Sequence, residues 1–423
     1  MLIYTDDLGY GDLSCQDSKN IDSPNIDQLA TDGIRFTDFY SGSASCTPAR
    51  AALMTGSYPS RVNMDNVLFP GSIDRHTKKV KGLNPSEITI AEVLKSEGYA
   101  TGMVGKWHLG DDSSFMPNNQ GFDEYFGLPY SNDMVPPRFV DLPLLRNGEL
   151  LEVNPDQDQI TRRYTEESIS FIEKNKDQPF FLYLSHSMPH RACHASAEFT
   201  KRFTEAQMKR IKPGEDKKSR DFLYPASVEE IDWSTGEILK KLRELGLEEN
   251  TMIVFSSDNG PMVGSTGPLR GKKGSVYEGG HRVPGIVQWK GRIPAGTVCR
   301  EMVTAMDLLP TFAGLAGAKV PEDRVIDGHD ILPLLEADPD AKSPYDAFFY
   351  THGGKAVRSG KWKLVLGKKG GLFDLSADIG EKKNLAKTHP EVDARLRDHL
   401  DDFSKDLKKN SRPAGVLKDS TNQ

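Results

Sequence analysis

Short apolar runs that end in polar, reactive residues, separated by amphipathic stretches, constrain this chain's fold more than any other feature of its sequence. The runs Met1 to Thr5, Ala100 to Val104, Pro179 to Ser185, Thr251 to Ser256 and Val283 to Trp289 are mostly continuous, not alternating. Strands buried on both faces of a parallel sheet read this way, because helices cover each side. The intervening segments supply those helices. Thr89 is the predicted N-cap of a helix carrying Ile90, Val93 and Leu94, and a stripe of Ile231, Ile238, Leu242 and Leu245 stops at Gly246. A further helix begins near Met306 in MDLLPTFAGLAG. The fold class is therefore α/β, with helices on both faces of a mainly parallel sheet.

At 423 residues, one large core plus a smaller unit fits the length. The polar, Pro-containing ADPDAKSP after about residue 337 predicts the boundary, giving a main unit over 1–337 and a small α+β unit over 338–423. In the latter, AFFYTHGGKAVRSGKWKLVL and GLFDLS read as an antiparallel meander with Gly turns. A last helix presents Val392, Leu396, Leu400, Phe403 and Leu407 as one stripe, and the tail from Ser411 is expected to fray.

Several classes are excluded. No apolar stretch approaches the roughly 18 residues of a membrane-spanning helix. Lys and Arg number 54 against 61 Asp and Glu, a net charge of -7, so there is no global basic field for nucleic acid, and an anionic ligand would need a local cluster of cations. MLIYT lacks a charged leader region, so a strand is expected from the first residue, as if the N-terminus were trimmed. Cys15, Cys46, Cys193 and Cys299 are too sparse for a disulfide scaffold and match no zinc spacing; each alone reads as a buried free thiol.

Ligands of open parallel sheets bind at the carboxyl ends of strands. Asp6 and Asp7 follow the first run and Asp258-Asn259-Gly260 the fourth, which joins three carboxylates and an amide of the kind that hold Ca²⁺ or Mg²⁺. Either motif alone would be an ordinary turn. Cys46 precedes Pro48 and an Ala-rich run, placing it at a helix N-terminus that favours a thiolate or a bound anion, with Arg50 one turn on. Lys106 and His108 follow the second run, two apart, so an extended chain would point them the same way. His186 and His190 lie in SHSMPH, and Arg270, Lys272 and Lys273 in GPLRGKKGS. Singly, a histidine is more often structural and a Lys-Lys pair a solvated face. Converging beside a metal, they suit transfer of a tetrahedral anion, phosphoryl or sulfuryl.

Together these motifs resemble the formylglycine-dependent sulfatases, and within them the arylsulfatase A-like branch. The pattern C-x-[PS]-[SA]-R is matched by Cys46-Thr47-Pro48-Ala49-Arg50, with DDLGYGDL, TGMVGKWHLG, FGLPYSND, FFLYLSH, FSSDNGP, LRGKKGSVYEGGHRVP and LFDLSADIGEKKNLA in the same order to about residue 390. The resemblance implies an alkaline-phosphatase-like sandwich with a large mixed sheet, a small C-terminal antiparallel sheet, and hydrolysis of sulfate monoesters. It implies formylglycine made from Cys46 by a separate maturation enzyme, and one divalent metal, Ca²⁺ before Mg²⁺, held by Asp6, Asp7, Asp258, Asn259 and the residue-46 oxygen. Arg50 would stabilise the aldehyde hydrate, Lys106 and Lys273 would bind sulfate oxygens, and Ser131 would hydrogen-bond in the pocket. His108 would assist release of sulfate and His190 would protonate the leaving alcohol, with His186 and His194 as rivals for that place. The substrate would be a sulfated carbohydrate, with aryl sulfates as surrogates and Asp74 to Lys81 and Arg138 as candidate contacts to a polyanionic glycan. A periplasmic or secreted location is implied, and a cytoplasmic one stays open. Two alternatives stand: a phosphonate monoester or phosphodiester hydrolase on the same scaffold, and a non-catalytic binder of sulfated glycans if Cys46 is unmodified.

Overall fold

Strand β1 (Leu2–Thr5) lies at the middle of a mixed sheet in a computed structural model that describes residues 1–211, 217–351 and 354–417. The other strands of that sheet are β2 (Ile34–Phe36), β3 (Ala100–Gly105), β4 (Glu124–Gly127), β5 (Pro143–Arg146), β6 (Glu149–Val153), β7 (Phe180–Ser185), β8 (Ile253–Ser257), β9 (Gly285–Gln288) and β10 (Thr297–Cys299). Their order is β10-β2-β9-β8-β1-β7-β3-β4-β5-β6. The central five, β8 through β4, run parallel, and the outer strands bring in the antiparallel pairs. Strand β9 is antiparallel to β8, so the run Val283 to Trp289 ends at the opposite edge and brings no reactive residue to the site.

Register decides what gathers where. Thr5 pairs with Ser257, Tyr4 with Ser185, and Ser185 with Gly105. The residues that follow, Asp6, Asp258 and Lys106, therefore leave the sheet side by side. Gly105 turns the chain at φ 115°, and a Cβ there would stand 1.8 Å from the Ser185 carbonyl oxygen, so a side chain would force β3 and β7 apart.

Alternation along β1 divides two cores. Leu2 and Tyr4 face helices α2 (Cys46–Thr55), α3 (Ile90–Ser96) and α6 (Leu308–Ala316), whereas Met1 and Ile3 face α1 (Pro24–Thr31), α4 (Ile160–Asn175) and α5 (Tyr224–Glu244). Each Leu or Ile so buried contributes about 1.5–3 kcal/mol. Thr89 caps α3 through a capping box with Glu92, as the sequence predicts. Among the described residues no helix is long and apolar enough to cross a membrane.

Strands Phe348–Tyr350, Ala356–Ser359, Trp362–Val365 and Gly371–Asp374 form the expected antiparallel meander. One face packs Val357, Leu364 and Leu372 on Leu396 and Leu400 of α7 (Pro390–Asn410); the other sets Phe348 and Tyr350 against Tyr40 and Tyr58. Buried Glu278 joins the two sheets, accepting from Tyr350 at 2.5 Å and Lys363 at 2.8 Å. The expected fraying from Ser411 is not found up to Gly415. Arg412 donates from its backbone to Arg61 O at 2.6 Å and from Nε to Glu87 at 2.8 Å, and Gly415 bridges Gly82. Residues 418–423 of that tail lie outside the described residues. All four cysteines are free; Cys46 and Cys193 are buried, whereas Cys15 and Cys299 are half-buried, which corrects the expectation of four buried thiols.

Candidate active site

Two strand ends supply the floor of the site. Asp7, in the left-handed region at φ 67°, donates from its backbone N–H to Asp258 Oδ1 at 3.1 Å, while Asn259 Nδ2 donates to Asp7 Oδ1 at 2.6 Å. Oxygens of Asp6, Asp7 and Asp258 all lie within 4.8 Å of one another, and all three residues are buried. Asp6 Oδ1, Asp7 Oδ2 and Asn259 Oδ1 have no hydrogen-bond partner among the described residues. Buried oxygens left without donors cost free energy, and a cluster of hard oxygens fits a divalent cation such as Ca²⁺ or Mg²⁺. Burial and the Asp6 carboxylate beside it push the Asp258 carboxyl up to about 7. Against the same burial, Lys106, His190 and Arg50 hold Asp6 well below the usual carboxylate range.

Helix α2 begins at Cys46 and aims Arg50, 1% exposed, back under the floor. Its guanidinium donates to Asp258 Oδ2 from Nε at 3.1 Å and Nη2 at 2.9 Å, and to the Lys106 carbonyl at 3.0 Å and Ser185 Oγ at 2.5 Å. Arg50 therefore holds the ends of three strands at one point. The thiol of Cys46 is not the thiolate that a helix N-terminus predicts. Burial pushes it up, and although Lys106 and Lys273 oppose this, Asp6 and Asp258 add to it.

Cations close over the floor. Lys106 Nζ contacts Asp6 and donates to Ser131 Oγ at 3.1 Å. Lys273 Nζ lies 2.6 Å from Asp7 Oδ1 and 3.6 Å from Cys46 Sγ, and its loop is fastened to that of Cys46 by the Gly274 N–H on Ala44 O at 2.8 Å. Despite burial, the Asp7 carboxylate holds the Lys273 ammonium charged. His108 reaches the cleft, but not by extension of β3; the chain turns at Gly105 and again at His108, φ 62°, whose Nε2 pairs with Leu68 O at 2.9 Å. Burial and Lys106 keep it neutral.

Geometry separates the three rival histidines. His190 lies over the floor, Nε2 3.7 Å from Asp7 Oδ2 and Nδ1 3.1 Å from Asn132 Oδ1. His186 is sealed under the sheet beside Tyr164, and His194 pairs with Asp158 at 2.7 Å. Asn132 was not singled out by the sequence reading. Its Nδ2 donates to Gln157 Oε1 and Ala192 O, which leaves Oδ1 to accept from His190 Nδ1–H and fixes the tautomer with a free lone pair on Nε2. The only signal was its place in PYSND.

Cys46, His108, Ser131, His190 and Lys273 line one cleft of about 280 Å³. Two expected cations stay out of it: Arg270 stacks 3.8 Å over Tyr277 and donates to Glu381 O, and Lys272 donates to Val263 O and Gly264 O. A buried carboxylate cluster with partnerless oxygens, roofed by two lysines and a histidine, is built to neutralise a tetrahedral anion.

The profile of the family described as Sulfatase matches residues 1–318, and that described as N-sulphoglucosamine sulphohydrolase, C-terminal, matches 272–406. Human arylsulfatase A is 35% identical over 93% of this chain and 85% of its own length, and human steryl-sulfatase 35% over 79% and 69%. The crystal structure of Ps i-CgsB superposes with a TM-score of 0.83 at 32% identity, covering 96% of this chain and 92% of the other. The architecture is the alkaline-phosphatase-like sandwich the sequence led us to expect. With the profile covering three quarters of its length and these relatives spanning most of it, the chain belongs to the sulfatase family and is a sulfuric ester hydrolase.

Proposed function

We propose that this enzyme hydrolyses the sulfate monoester of a carbohydrate at a formylglycine derived from Cys46, with one divalent metal, Ca²⁺ before Mg²⁺. The observation that carries this reading is the position of Cys46 Sγ, 3.6 Å from Lys273 Nζ and within 4.8 Å of an Asp6 carboxylate oxygen and a His190 ring nitrogen. Once oxidised by a maturation enzyme, residue 46 would supply a hydrated aldehyde, two hydroxyls on one carbon, which a thiol with its raised proton affinity cannot replace. Asp6, Asp7, Asp258, Asn259 and the residue-46 oxygen would hold the metal, whose positive charge lowers the barrier at sulfur.

The chain's own groups do the rest. Lys106 and Lys273 bind sulfate oxygens, already drawn to the floor by Asp6 and Asp7. Ser131, fixed by Lys106, adds a hydroxyl donor. Arg50 holds Asp258 and the strand ends while charge shifts above it. His190 takes a proton on Nε2, with Nδ1 committed to Asn132, and returns it to the ester oxygen of the departing alcohol. His108 lines the cleft beside residue 46 and would assist sulfate release from there.

Peptide mass spectrometry of the protein from its own host should find an aldehyde in place of the thiol at residue 46. Such protein should turn over 4-nitrophenyl sulfate, and Cys46→Ala should fold and do nothing. Turnover by Cys46→Ala, or a phenyl phosphonate ester hydrolysed roughly a thousandfold faster than the sulfate, would overturn the reading.

A further inference from the structure

The wall of the cleft carries cations for which the sulfate chemistry has no use. Arg75, Arg138, Phe69 and Phe139 line the same space as Cys46 and His190. Other charged lining groups are engaged: Arg191 by Asp221 at 2.8 and 2.5 Å, Lys273 by Asp7, and Asp133 acts on His190. Arg75 and Arg138 are exposed and form no ion pair among the described residues. Arg138 lies over Phe139 at 5.1 Å, Lys78 over Phe69 at 5.7 Å, and the two rings pair at 5.1 Å. In a chain of net charge -7 this is a local positive patch against an aromatic surface.

The loop holding Arg75 is preset. Buried Asp74 accepts from the backbone N–H groups of His76 at 2.9 Å and Thr77 at 2.8 Å, from Asn66 Nδ2 at 3.1 Å, and pairs with Lys81 at 2.7 Å. The Arg75 N–H donates to the carbonyl of Val67, itself a lining residue, at 3.0 Å. Hence Asp74 and Lys81 are structural, and the loop is not the freely solvated one that charge alone would allow. A backbone fixed in advance loses less entropy when its side chain binds.

We propose that the substrate carries a second anionic group, a sulfate or a carboxylate, bound by Arg75 and Arg138 while the Phe69–Phe139 pair contacts the sugar ring between the two anions. The inference rests on the sulfatase reading and narrows its substrate to a doubly anionic saccharide. Arginine suits the task, since its planar fork matches either oxyanion.

The test separates the two readings by measuring binding without turnover. Cys46→Ala protein is titrated calorimetrically with a monosulfated disaccharide, its disulfated form, and a form with one sulfate and one uronate carboxylate. Either or both doubly charged ligands should bind about tenfold or more tightly than the first, and which one does identifies the second anion. Adding Arg75→Gln and Arg138→Gln should close that gap, and should flatten its loss with added NaCl. Equal binding of all three ligands, or a gap that survives both arginine substitutions, overturns the proposal. Turnover of 4-nitrophenyl sulfate by the unsubstituted enzyme reports separately on the chemistry.

Discussion

Lys273 Nζ bridges Cys46 Sγ, at 3.6 Å, and Asp7 Oδ1, at 2.6 Å, so one ammonium spans the proposed nucleophile and the carboxylate floor. Its neighbour Lys272 only braces backbone carbonyls. Lys273→Ala should therefore lower kcat on 4-nitrophenyl sulfate by roughly 10²–10³, the usual loss for a donor to transition-state charge, and Lys272→Ala by about twofold. Equal losses would remove Lys273 from its place on the sulfate.

Asn132 fixes the His190 ring without lining the cleft. If His190 protonates the leaving alcohol, Asn132→Leu should depress hydrolysis of a sugar sulfate far more than that of 4-nitrophenyl sulfate, whose anion leaves without help. A His190→Ala control should show the same split, by roughly 10²-fold. A uniform loss on both substrates would mean that Asn132 acts only on structure.

The partnerless oxygens of Asp6, Asp7 and Asn259 predict that metal binding stabilises the fold. Chelator-stripped protein should gain about 2.7 kcal/mol at a Ca²⁺ concentration one hundred times Kd, read as a rise in Tm. Asp7→Asn should lose most of that rise. If neither Ca²⁺ nor Mg²⁺ moves Tm, the floor does not hold a metal.

Among the described residues His186 has no hydrogen-bond partner for either ring nitrogen, and burial pushes its pKa down to about 3. The unfolded chain takes up a proton near pH 6.5 and the folded one does not, so stability is lost as pH falls from about 6.5 toward 3, by about 1.4 kcal/mol per pH unit. His186→Phe should flatten that acid limb in urea unfolding followed against pH. An unchanged slope would mean that the ring is charged inside the fold.

Lys363 is buried against two carboxylates, Glu278 at 2.8 Å and Glu381 at 3.0 Å, where the C-terminal sheet meets the main one. Lys363→Ala should cost about 3–5 kcal/mol by stranding them, whereas Lys361→Ala, which removes an exposed lysine from an Asp374 that also accepts from Ser376, should cost about 1 kcal/mol. Urea midpoints for the two variants give the comparison directly.

What could be read from the sequence depended on local chemistry. The strands β1, β3, β7 and β8 were legible because both their faces are apolar, and Thr89 because its capping box is local. The short outer strands β2, β5, β6 and β10 were not: β6 is largely exposed, and short edge strands carry little hydrophobic signal. Residues named at the strand ends came together because register, not spacing, aligned them. Asn132 escaped because its role depends on a histidine 58 residues away, and Arg270 misled because it turns back on Tyr277 and donates to Glu381, which lies outside its motif. The helix-end argument for a Cys46 thiolate failed because it weighed the helix and ignored burial beside two carboxylates.

The strap at Arg412 and Gly415 grips Arg61, Gly82 and Glu87, and between these anchors hang Val67, Phe69 and Arg75 of the cleft. Glu87 and Arg412 are 325 residues apart, so this side of the cleft is tied to a part of the chain far along the sequence from Asp6, Asp7 and Cys46. The cleft wall thus rests on one of the most non-local contacts in the fold, the kind of pairing whose loop-closure entropy slows folding.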